Sequence, residues 1–197
     1  MSRPGSVDRL IASLARLPGV GPKTSERLAY HLLSVPLAEA AELAEALLAA
    51  RRATRVCAQC FNLDETEPCR ICADPARDHA RVLVVEDARD VASFEDAGWR
   101  GLYHVLQGRV SQLEGTALAD LTSTALVARA RAGGIQEVCL ALNPDLEGEG
   151  TAQLVAELLR GEAVAVTRIA RGIPAGASIT QVGKSILADA VAGRRPL

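Results

Sequence analysis

Four of the five cysteines in this 197-residue chain fall in one short stretch, Cys57-x2-Cys60-x8-Cys69-x2-Cys72. Two Cys-x-x-Cys knuckles at this range offer four thiolates to one tetrahedral ion, and zinc is the metal such a ligand set selects. Four sulfurs fill the coordination sphere and leave no position for water, so the ion is expected to be structural and not catalytic. A pair of disulfides is the alternative, disfavoured because the chain shows no secretion signal and cytosolic thiols stay reduced. The fifth cysteine, Cys139, lies in the apolar run Val138-Cys139-Leu140-Ala141-Leu142, where a small buried hydrophobe is expected.

A second group of residues is suited to an anion. In Leu17-Pro18-Gly19-Val20-Gly21-Pro22-Lys23 two glycines let the backbone turn tightly and expose its amides, and Pro22 fits the first position of a following helix. Amides at a helix N-terminus favour an anionic oxygen, and the missing side chains at Gly19 and Gly21 allow it close. Lys23 adds charge there, and Arg27 follows one turn later on the same face. A plain αα-hairpin would need fewer of these features. Contacts of this kind neutralise phosphates without reading bases, so binding would be sequence-independent and salt-sensitive.

A third group is acidic. The apolar run Val82–Val85 leads into Glu86-Asp87, and the run ending at Leu142 leads into Asn143-Pro144-Asp145-Leu146-Glu147-Gly148-Glu149. Carboxylates at the C-terminal ends of parallel strands collect over one crevice, an arrangement suited to a hydrated Mg²⁺; a solvated acidic loop is the other reading. His31, His79 and His104 show no ligand spacing, and Tyr30 and Tyr103 sit in apolar periodic runs that read as core.

The elements that must hold these groups follow from periodicity. Leu10, Ile11, Leu14 and Leu17, then Leu28, Leu32 and Leu33, then Leu37 through Leu48, recur at helical spacing, with breaks at Pro18-Gly19 and Pro36. Residues 57–72 are polar enough to read as a loop held by its metal. From residue 81 apolar strands (82–85, 102–106, 138–142, 164–169) alternate with helices (near 88–97, 119–132, 151–160, 182–192), which predicts an α/β layer with a largely parallel sheet. The chain is thus an α+β multi-domain protein. Its formal charge of −2 is unevenly spread: residues 1–55 carry eight Lys and Arg against five Asp and Glu, enough for a local phosphate-binding face. No apolar run approaches the roughly 20 residues of a membrane span, and the start Met1-Ser2-Arg3-Pro4-Gly5 leads into no signal-type apolar segment, so a cytoplasmic protein is expected.

The glycine hairpin resembles a helix-hairpin-helix motif, and the acids resemble those of a Toprim domain, with Glu86 in place of the family glutamate and Asp145 and Glu147 in place of its Asp-x-Asp pair. In this order, with the cysteine module between them, they resemble the RecR family of bacterial recombination mediator proteins over nearly the whole chain. Further echoes are Arg27 through Leu33, Cys72 through Asp78, Gly101 through Leu106, Asn143-Pro144 with Glu147-Gly148-Glu149, and Arg168 through Pro174. The resemblance implies a helix-hairpin-helix region over 1–55, a four-cysteine zinc finger over 56–73, a Toprim domain over 80–175 and a C-terminal helical segment over 176–197.

The same resemblance implies a non-enzymatic DNA clamp, a homo-oligomeric ring with Gly19, Gly21, Lys23 and Arg27 towards the DNA. It would act with RecO and RecF to help load RecA on gapped or single-stranded DNA. Zinc would be its structural metal. The acids Glu86, Asp87, Asp145, Glu147 and Glu149 would form a partner surface or a weak Mg²⁺ site. The rival is a Mg²⁺-dependent Toprim enzyme, a nuclease or related phosphoryl-transfer catalyst, using Glu86, Asp145 and Glu147. The chain departs from the family pattern after Pro174, where Ala175 through Val182 carries no acid. Gly183-Lys184-Ser185 hints at a phosphate-binding loop, but Ser178 stands where that motif needs glycine, and a helix start with Lys184 facing solvent is the ordinary reading.

Overall fold

A computed structural model describes residues 3–194, so the first two positions of the 1–55 segment and the last three of the 176–197 segment lie outside the described residues. The chain divides into two compact units, Met1–Thr54 and Arg55–Leu197.

The first unit is three helices, α1 (Gly5–Leu14), α2 (Pro22–Ser34) and α3 (Leu37–Ala53). Prolines set their starts: Pro22 is the first residue of α2, and Pro4 and Pro36 stand at the N-caps of α1 and α3. Helix α2 buries only Ser25 and Ala29, small residues that let a neighbouring helix approach closely. Tyr30, expected in the core, lies off that stripe and is 49% exposed. Leu17 falls beyond the end of α1, in the turn, and not on its periodic face.

The second unit opens with the cysteine module, which is more ordered than a metal-held loop. Strands β1 (Arg55–Val56) and β2 (Leu63–Asp64) pair antiparallel, and a short helix α4 (Arg70–Ala73) carries the second knuckle. The pairing arises because the Cys57 amide donates to Asn62 O at 2.8 Å, closing the first knuckle and bringing its flanks into register.

Behind it lies a four-stranded parallel sheet in the order β4-β3-β5-β6: β4 (Gly101–Val105), β3 (Asp78–Val85), β5 (Glu137–Leu140) and β6 (Ala165–Arg168). Strand alternation sorts the core. Val82 and Val84 face α6 (Ser123–Arg131) and α7 (Leu146–Leu158) through Leu126, Ala130 and Val155. Leu83, Val85, Tyr103 and Val105 face α5 (Ala88–Asp96) through Val91, with Phe61 and Ile71 of the cysteine module on the same side. Cys139 is half-buried where burial was expected, because this second cover centres on β3 and β4 and thins towards β5.

Helix α7 begins at Leu146, five residues before the sequence expectation. Gly148 and Gly150 read as loop, but Asp145 caps the helix by accepting the Gly148 amide at 2.8 Å, and Glu147 and Glu149 in the first turn complement the helix dipole. The acidic stretch is therefore helical. Helix α8 (Lys184–Ala192) follows a 3₁₀ turn at Ile179–Gln181, and Lys184 is exposed at its start.

Candidate metal centre and nucleic-acid interface

Cys57, Cys60, Cys69 and Cys72 are all buried, and their Sγ atoms lie within 4.8 Å of one another. Thiolates around a tetrahedral zinc stand about 3.8 Å apart, given Zn–S bonds of about 2.3 Å. The Cys60–Cys69 sulfur pair, at 3.5 Å, is already close to that spacing. Hydrogen bonding from Cys60 and then Cys72 pushes the Cys69 thiol down from its ordinary value, towards the thiolate. Four such groups cannot all ionise without a cation between them, and the donor set and spacing fit a structural zinc.

The surroundings hold the knuckles in place. The Cys72 amide donates to Cys69 Sγ at 3.4 Å, and both oxygens of Glu67 accept from the Ala58 amide at 3.2 Å. Asp64 accepts from the Arg70 amide at 2.8 Å and from the Arg70 guanidinium, which together hold its carboxyl below the usual range. The Cys60 carbonyl accepts from the Val105 amide at 2.8 Å, so the module is hydrogen-bonded to the outer edge of β4. Ile71 packs against the cysteines and both sheet cores, and the Phe61 ring meets His104 edge-on at 5.3 Å.

In the helical unit, the hairpin between α1 and α2 turns at Gly19, whose φ of +77° only glycine adopts freely. The Val20 amide closes the turn on Leu17 O at 3.1 Å. A Cβ added at Gly19 or Gly21 would meet nothing within 4 Å, so both positions open outward. Among the described residues the amides of Gly21, Lys23 and Thr24 take no acceptor, and no ion pair engages Lys23 or Arg27, both exposed. Free amides, open backbone and the unpaired Lys23 share one end of α2, and the unpaired Arg27 follows one turn along.

The acids gather in part. Glu86, nearly buried at the end of β3, accepts from the Asn143 amide at 2.7 Å through Oε1 and from Asn143 Nδ2 at 2.8 Å through Oε2. Gly148 is needed beside it, since a Cβ there would lie 2.1 Å from Asn143 O. Asp145 and Glu147 are bridged by Arg109, with Nη1 2.5 Å from Asp145 Oδ2 and Nε 3.0 Å from Glu147 Oε2. The Gly148 amide and then Arg109 hold the Asp145 carboxyl below its usual range. The other two acids are engaged elsewhere: Asp87 caps α5 and pairs with Arg89, and Glu149 pairs with Arg168 and Arg171.

Three family models match consecutive parts of the chain: the RecR helix-hairpin-helix over residues 7–51, the RecR four-cysteine zinc finger domain over 54–74, and the Toprim domain over 80–170. Proteins named Recombination protein RecR align over almost the full length. That of Moorella thermoacetica is 47% identical over 100% of both chains, that of Desulforudis audaxviator 48% over 96% of each, and that of Rhodopirellula baltica 45% over 98% of each.

The chain belongs to the RecR family.

Within this RecR chain the cysteine cage is the family's four-cysteine zinc finger, and Glu86, Asp145 and Glu147 occupy the Toprim segment. Three residues at the acidic pocket were not singled out in the sequence: Arg109, Ser111, which donates to Glu147, and Asn143 as a ligand of Glu86. Only Asn143 carried a signal, its place directly after a strand. Among the described residues no helix is long and apolar enough to cross a membrane.

Proposed function

We propose that this RecR chain is a subunit of a sequence-independent DNA clamp in recombinational repair, a cytoplasmic homo-oligomeric ring without catalytic turnover. It acts with RecO and RecF to help load RecA on gapped or single-stranded DNA. The observation that carries the DNA-binding reading is the α1–α2 hairpin, where unpartnered amides, outward-open glycines and the unpaired Lys23 meet at one helix start, with the unpaired Arg27 one turn further along. That combination accepts phosphate oxygens and makes no provision for base edges. Exposed leucines on α3 support self-assembly, and the arginine-bridged acids support a surface role for the Toprim segment.

The test is fluorescence anisotropy of zinc-loaded protein on gapped duplex DNA across a salt series, with denaturing gels of the same DNA in Mg²⁺. Binding that weakens steeply with salt and leaves strands intact is expected, and K23A/R27A should lower affinity about tenfold or more with a shallower salt slope. Full affinity in the double variant would remove the hairpin from the interface, and Mg²⁺-dependent scission would make the chain an enzyme.

A further inference from the structure

We infer that Arg109 is the resident counter-ion of the Toprim carboxylates, and that its guanidinium keeps Glu86, Asp145 and Glu147 closed to divalent cations. Every oxygen of the three carboxylates already has a hydrogen-bond donor or an ion-pair partner. Glu86 Oε1 and Oε2 take the Asn143 amide and Nδ2. Asp145 Oδ1 takes the Gly148 amide and Oδ2 takes Arg109 Nη1. Glu147 Oε1 takes the Ser111 hydroxyl, and Oε2 lies 3.0 Å from Arg109 Nε in an ion pair. A hydrated Mg²⁺ binds such a site through one or two carboxylate oxygens, and here each must first be taken from a hydrogen bond or an ion pair, two of them from the Arg109 cation.

The backbone that aims Arg109 is an independent observation. After β4 the chain turns through Gln107 at φ +62°, a left-handed conformation that costs a non-glycine residue, and Gly108 at φ +141°. The loop is pinned on both sides of Arg109. The Gly108 amide donates to Glu86 O at 2.9 Å, and the Val110 amide donates to the Thr151 hydroxyl of α7 at 2.9 Å. A strained turn clamped to the strand and helix that carry the acids holds the guanidinium over them. The inference stands apart from the DNA-binding reading, since it concerns the other unit of the chain.

The experiment is a Mn²⁺ titration followed by electron paramagnetic resonance, on full-length zinc-loaded protein. Wild type and R109K, which both keep the positive charge, should bind Mn²⁺ weakly. R109Q should bind about tenfold tighter or better, and R109Q/D145N should lose that gain. Equal binding by wild type and R109Q, or a gain in R109Q that survives D145N, would overturn the assignment. Should R109Q fail to fold by circular dichroism, the wild type decides alone: Mn²⁺ binding that D145N removes would show the pocket open with Arg109 in place, and its absence would uphold the closure.

Discussion

Burial keeps the His104 imidazole neutral. Its Nε2 donates to Thr122 O at 3.1 Å, its Nδ1 has no partner, and desolvation pushes the ring from the ordinary 6.5 down to about 4. On acidification the unfolded chain therefore takes up the proton first. His104 costs no stability above pH 6.5, and stability falls from there until about pH 4, by about 3 kcal/mol in all. The expected result is an imidazole resonance that does not titrate near pH 6.5 in the folded protein, with H104Q losing less urea stability than wild type between pH 6.5 and 5. A ring that titrates normally would refute it. The sequence showed this histidine only as one without ligand spacing; its burial depends on Phe61 and Thr122, which come from elements distant in the chain. The same limit hid Arg109. The strand-end rule found Glu86, Asp145 and Glu147, but an arginine 36 residues from Asp145 reaches them only through a turn whose φ no composition rule predicts at a glutamine.

The cysteine module acts on the sheet as an element. Strand β4 is an edge strand, and its outer side would present unpaired backbone groups were it not for the Cys60 carbonyl on the Val105 amide and the Arg129 guanidinium on Tyr103 O at 2.6 Å. The four-cysteine spacing announced the metal and its closed coordination, and the apolar runs placed all four strands within a few residues. What spacing does not hold is the docking: that Phe61 and Ile71 would cover one face of the sheet follows from the folded position of the knuckles. Zinc binding and edge protection are therefore coupled. Removing the metal with a strong chelator should release one zinc per chain, lower the melting temperature by several degrees and expose β4 to self-association, seen as light scattering on warming. Unchanged melting after complete zinc release would show that the module is held by its hydrogen bonds alone.

Across the whole molecule, apolar surface is left uncovered in a way the sequence only outlined. The apolar stripes at residues 7–17 and 182–192 read equally as core or as subunit interface, because spacing identifies a stripe and not what covers it. Within its unit α3 buries none of its 17 residues; Leu37 is 85% and Leu47 69% exposed, and Leu33, Leu43 and Leu47 line a groove of about 450 Å³. Apolar surface of this extent on a three-helix unit is stabilised by association, and a closed ring would do so with identical copies. Light scattering coupled to gel filtration should find a homo-oligomer for the wild type at micromolar concentration. L37E/L47E should give a smaller species with unchanged helicity and zinc content, since neither residue is buried within its own unit. A wild type that remains monomeric at high concentration would leave the hairpin's phosphate contacts intact but would remove the ring, and with it any means of encircling DNA.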